Sequence, residues 1–167
     1  MTNLTLPIGD ALTSVHYELL SWEQAPSADS CVDQVAMAVT LNWQESRPTR
    51  ISWSTDPQRE GLVQGGPSAE GPGPQLEIAD VSERWGGLLG QRLTACTFSH
   101  ALPPGDLPWA MNLLFASGAH LVIALGELLE GEPRYIPDSL LVTESRDAAV
   151  AFSPPAALGT AWSDRGD

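Results

Sequence analysis

The segment Leu107–Ser145 constrains the fold more than any other part of the chain. Two apolar runs, Trp109–Phe115 and His120–Leu125, flank a Ser117-Gly118-Ala119 connection, and a third run, Ser139–Glu144, follows. Side chains alternate faces along a strand. Trp109, Met111, Leu113 and Phe115 then share one face and Ala110, Asn112 and Leu114 the other. In the second run Leu121, Ile123 and Leu125 lie opposite His120, Val122 and Ala124. Large residues on one face and smaller ones on the other suit strands with a core face and a partly covered face. The glycine fits a tight or G1-bulge hairpin. The short runs and their break exclude one long helix.

The same period of two recurs upstream. Val35, Met37, Val39, Leu41 and Trp43 alternate with Ala36, Ala38, Thr40 and Asn42, and a second run, Arg50–Thr55, places Ile51 and Trp53 inward. These predict a hairpin. Thr13–Trp22 reads as a strand with Val15, Tyr17 and Leu19 together. Arg92–Ser99 reads as another, with Leu93, Ala95 and Thr97 against Thr94, Cys96 and Phe98. Leu76-Glu77-Ile78 is a brief strand. Asp80-Val81-Ser82-Glu83 has capping-box form, which predicts a short helix from Val81 to about Trp85, ended by Gly86-Gly87. Ala148–Phe152 reads as a final strand or a helical turn.

Residues 56–74 hold so many glycines and prolines that no ladder or helix persists there. The expectation is a long loop, ordered at Gly61-Leu62-Val63 at most, serving a function or tolerated as a surface insertion. Residues 153–167 read as a loosely ordered tail with Trp162 docking back. The chain is thus expected to be mainly β (α+β is the variant): an antiparallel meander forming a sandwich or half-open barrel with one short helix. Residues 1–152 make the globular part. A length of 167 residues supports a real core.

Composition bounds function. Hydrophobic residues make up 43% of the chain, which excludes global disorder. No apolar run reaches the ~20 residues of a membrane-spanning helix. The N-terminal stretch shows no signal-peptide pattern, so the expected location is the cytoplasm. Two cysteines, Cys31 and Cys96, are too few for a disulfide framework or a cysteine zinc site. There are 21 acids against eight bases, all arginine, for a formal net charge of −13. Such a surface repels nucleic acid and anionic membrane and attracts a basic partner. Genome-wide coding bias or solubility accounts for the same acidity without a partner.

Motifs for catalysis are absent from the pattern. Ser52, Ser54 and Ser117 lack a nucleophile elbow. Gly65-Gly66-Pro67 and Gly71-Pro72-Gly73 lack the Lys-Ser/Thr of a phosphate loop. His16 and His120, on the polar faces of two strands, form a metal or acid/base pair with Glu18 only if those strands meet. Two separately satisfied histidines are the plainer expectation, and no cofactor or metal is assigned.

The sequence therefore points to a non-enzymatic acidic protein-binding module of the immunity or antitoxin type, neutralising a basic protein. The expected contact residues are Glu77, Asp80, Glu83 and Trp85, with the loop acids Glu127, Glu130, Glu132 and Asp138 and their neighbours Arg134 and Tyr135. Trp85 has a second reading, as a buried anchor on the sheet. The alternatives are a small-molecule-binding barrel or sandwich with a lid loop, using His16, Tyr17 and His120 as polar handles, and an accessory domain.

Overall fold

The computed structural model describes residues 4–23, 26–27, 29–66, 76–101, 107–154 and 159–162. Twelve strands and one helix are assigned among them. The strands are β1 (Leu12–Leu20), β2 (Asp33–Val35), β3 (Ala38–Trp43), β4 (Thr49–Trp53), β5 (Leu62–Gln64) and β6 (Leu76–Asp80), then β7 (Leu93–Ser99), β8 (Ala110–Phe115), β9 (His120–Leu125), β10 (Glu127–Leu129), β11 (Glu132–Arg134) and β12 (Leu140–Thr143). The helix, α1, spans Arg146–Ala151. One five-stranded sheet runs β5-β4-β3-β1-β6 and a second β2-β12-β9-β8-β7, while β10 and β11 form a separate hairpin. Every pairing is antiparallel.

The inner faces of the two large sheets make one core. Val15, Tyr17, Leu19, Val39, Leu41 and Ile51 come from the first sheet; Met111, Leu113, Phe115, Leu121, Ile123 and Leu140 come from the second. Each such aliphatic or aromatic side chain stabilises the fold by about 1.5–3 kcal/mol through burial. The mainly β fold stands as expected. The sheets are hydrogen-bonded to one another at one corner, by the Ala11–Arg92 bridge, and neither closes into a barrel.

The second sheet is covered on its outer face as well. Val122, Ala124 and Leu141 pack under Ala149, Phe152 and Ala161, leaving a space of only about 10 Å³. This is why β8 and β9 are buried almost continuously. The tail residues that cover them are tied down: Ser99 Oγ donates to the Thr160 carbonyl at 2.9 Å, and Ala161 N–H to the Phe152 carbonyl at 2.9 Å.

Four local expectations change. The run Val35–Trp43 is two strands: Val35 pairs with Leu140 in the second sheet, whereas Ala38 pairs with Glu18 and Ser52 in the first. The chain switches sheets at Ala36-Met37, where sandwich corners form. In β7 a bulge at Thr94 shifts the register, so Leu93 shares the core side with Cys96 and Phe98, opposite Phe115, Leu113 and Met111. No helix forms over Val81–Trp85. The chain instead makes successive i→i+3 turns, Arg84 N–H to Val81 O and Trp85 N–H to Ser82 O among them. Asp80 bonds its side chain to Ser82, two residues on, as in an Asx-turn, and the turns run on past Gly86-Gly87, with Leu88 N–H to Trp85 O and Gln91 N–H to Leu88 O. The one short helix is α1, capped by Ser145, whose hydroxyl accepts from Ala148 N–H at 3.2 Å. Finally, Glu127–Asp138 is not wholly loop. Glu130 (φ 53°) and Gly131 (φ 81°) form the turn of the β10–β11 hairpin, with both central residues left-handed, as type I′ turns require.

Within residues 56–74, β5 occupies Leu62–Gln64. Residues 67–75 lie outside the described residues, as do 155–158 and 163–167 of the tail.

Candidate binding cleft

An opening lies where β6, an edge of the first sheet, comes near the chain leading into β2, an edge of the second. The opening is plugged by side chains. Asp33 of β2 is 2% exposed. Its Oδ2 accepts the Tyr17 hydroxyl at 2.8 Å, and Tyr17 in turn accepts the Trp85 indole N–H at 3.0 Å. Arg84 Nη2 lies 2.6 Å from Asp33 Oδ1, an ion pair by distance whose angle is not that of a hydrogen bond. Arg84 also donates to the carbonyls of Ser27, at 2.6 Å, and Ser30. The Arg84 guanidinium stands 5.5 Å from the Trp85 ring centre. Burial pushes the Asp33 carboxyl up from its ordinary range, with Tyr17 and Arg84 pulling the other way. Burial, and then the Asp33 charge, drive the Tyr17 phenol far upward. Tyr17 therefore stays protonated and donates.

Above this plug lies a cleft of about 840 Å³. Ala79, Val81 and the edge of Trp85 line its base, and the exposed carboxylates Asp80, Glu83 and Glu144 stand on its rim. Hydrogen bonds from Ser82 hold the Asp80 carboxyl below its usual range, helped by His16, whose Nε2 is 3.6 Å away. Arg84, the cation of the cleft, is already committed to Asp33.

Of the expected contact residues, Asp80, Glu83 and Trp85 meet here. Trp85 is 2% exposed, so it anchors the turn on the core and offers no protruding aromatic surface. Glu77 sits exposed on β6. Glu127, Glu132 and Arg134 lie on the β10–β11 hairpin, where Glu127 is paired opposite Arg134, and Glu130 is in its turn. Tyr135 donates to Glu60 at 2.8 Å, and burial followed by that carboxylate pushes its phenol up. Asp138 is exposed beyond the hairpin. No described residue of this second group lines the cleft. The proposed acidic patch is thus two separate surfaces.

The two most exposed of the large apolar side chains escaped the sequence reading: Ile78, 73% exposed on β6, and Trp22, 67% exposed just beyond β1. The strand pairing gives the signal for Ile78. It lies opposite Glu18, whose face carries the Glu18–Arg50 ion pair at 2.6 Å and the His16–Asn42 contact at 3.0 Å and points away from the core.

The histidines do not meet. His16 is in the first sheet; His120 is in the second, bonded to Asn112 at 2.7 Å and set against Trp162 with ring centres 4.1 Å apart and planes tilted by 46°. Among the described residues no group of three or more His, Cys, Asp or Glu side chains is placed to hold a metal. No helix among them is long and apolar enough to cross a membrane. No protein-family model, curated protein or solved structure matches the chain.

Proposed function

We propose that the protein is a non-enzymatic, acidic binding module that captures a basic protein, acting in the cytoplasm without nucleic acid, membrane or cofactor. The observation that supports this reading is the cleft rim. Asp80, Glu83 and Glu144 are exposed around an apolar base, while the nearby Arg84 is spent on Asp33. On a chain of formal net charge −13 the three rim carboxylates outnumber the one arginine that lines the cleft, which is already paired with Asp33, so a partner's cations meet a net acidic rim. A plugged, hydrogen-bonded base keeps the surface preformed and reduces the ordering cost of binding. An immunity- or antitoxin-type role is the kind of function such a surface suits, by analogy of class.

The test is affinity capture from the host cell with the wild-type protein and with the double variant Glu83→Lys/Glu144→Lys. Capture of one basic protein in stoichiometric amount, lost in the charge-reversed variant and weakened by added salt, is expected. Recovery of no such protein, or equal recovery by both baits, would refute the reading.

A further inference from the structure

Resting on that reading, we propose how the partner docks: an extended basic segment adds to the first sheet as a new strand alongside β6. The first observation is the open edge. β6 pairs with β1, and no described strand lies on its other side. Val81 N–H bonds the Val15 carbonyl at 3.0 Å, and in an antiparallel ladder every second residue repeats that exchange. Ala79 and Glu77, opposite Tyr17 and Leu19, therefore direct their backbone groups to β1. Ile78, between them, directs its N–H and C=O to the free side, where a strand would pair.

The second observation is that the edge is only lightly guarded, with Glu77, opposite Leu19, its one charge on the inward face. Exposed edges are guarded by proline, lysine, bulges or inward-pointing charge. Leu76–Asp80 has no proline, no cation and no register shift, and its Ile78 is 73% exposed. The charges it does carry, Glu77 and Asp80, select the occupant. They repel a second copy of this acidic chain and favour a cationic strand.

The third observation fixes the pattern of that strand. Residues directly opposite one another share a face. A residue beside Ile78 lies on the outer, apolar contact, whereas residues beside Glu77 and Ala79 lie on the cleft side, toward the rim acids Glu83 and Glu144. The matching segment alternates Lys or Arg with an apolar β-former over the roughly 17 Å that five residues span. Main-chain bonds supply affinity and the alternating side chains supply specificity, as in other strand-addition interfaces.

The experiment is calorimetric titration of the full chain with a short synthetic peptide alternating lysine and valine. It is compared with the same peptide N-methylated on alternate amides, and with a block peptide of equal composition. Ile78→Pro removes the outward N–H together with the exposed Ile78 side chain, and edge strands tolerate such a proline. Binding of the alternating peptide at least 10-fold tighter than either comparison peptide, and weakened at least 10-fold by Ile78→Pro, is expected. The N-methylated comparison holds even where the proline variant does not fold. Equal binding of all three peptides overturns strand addition. No binding of the alternating peptide also overturns it, and the acidic-module reading then survives if Glu83→Lys/Glu144→Lys still abolishes partner capture. Loss of neither peptide nor partner binding on charge reversal removes both.

Discussion

Replacing Tyr17 with Phe isolates the plug of the cleft with almost no change of shape. The ring stays in the core, so no cavity opens, and only the hydroxyl is removed. That hydroxyl donates to the Asp33 carboxylate at 2.8 Å and accepts from the Trp85 indole at 3.0 Å. A hydrogen bond to a charged group contributes about 1.5–3 kcal/mol net, and a buried donor left without an acceptor costs about 1–3 kcal/mol. The two losses overlap, because Asp33 retains Arg84, so the expected destabilisation is about 2–4 kcal/mol. Urea unfolding followed by tryptophan fluorescence reads this directly. With a slope of about 2 kcal/mol/M the midpoint falls by about 1–2 M and the slope stays constant. The double variant with Trp85→Phe gives the coupling. Removing the indole N–H costs about 1 kcal/mol less once its acceptor is gone. A loss below about 0.5 kcal/mol for Tyr17→Phe, or zero coupling in the cycle, would show that the network carries no weight.

Arg84→Met leaves Asp33 buried beside an apolar chain and is expected to cost about 3–5 kcal/mol, partly restored by adding Asp33→Asn; a melting temperature unchanged in the single variant contradicts this. Asp10 accepts N–H bonds from Ala11, Glu45 and Ser46, and the Ser46 side-chain hydrogen bond first, then these N–H bonds, lower its carboxyl from 3.8. A carboxylate lowered on folding contributes stability above its unfolded value that is lost as pH falls through the folded one. The gap in urea midpoint between wild type and Asp10→Asn should therefore be full at pH 7 and shrink below about pH 4; a gap independent of pH sinks the assignment. Burial pushes the Cys96 thiol up to about 12 while Cys31 is exposed, so iodoacetamide at pH 8 should label Cys31 first, with peptide mass spectrometry showing any reversed order.

The β8–β9 hairpin was legible because period two, run length and Gly118 agree. What the sequence hid is where pairing, not pattern, decides. Val35 and Val39 sit in one unbroken alternation, yet they belong to different sheets, and nothing local announces the switch. Thr94 looks like an ordinary strand residue; its bulge shows only against β8. The capping box at Asp80 was a sound local signal, overridden because a helix followed at once by two glycines cannot recover its nucleation cost. The cleft was hidden more deeply, since segments near residues 26–31, 79–85 and 144–145 build it. Nothing in the sequence singles out Asp33, which the fold uses inside, against Arg84. Acids in a sequence read as solvated by default, and only the third dimension separates a rim carboxylate from a buried one.

The switch at Ala36-Met37 also governs the order in which the molecule can be completed. The first sheet is made from the chain between Leu12 and Asp80, but β2, drawn from the middle of that stretch, waits for β12, more than a hundred residues later, before its backbone is paired. Such distant closure is slow, because its loop entropy is lost before its contacts form. A nascent chain would hold a finished first sheet and a dangling β2 until Leu140–Thr143 is made. Severing the chain between Asp80 and Leu93 would leave the second sheet on one fragment without its edge strand β2, which stays on the other fragment unpaired, so neither half could stand in for the whole.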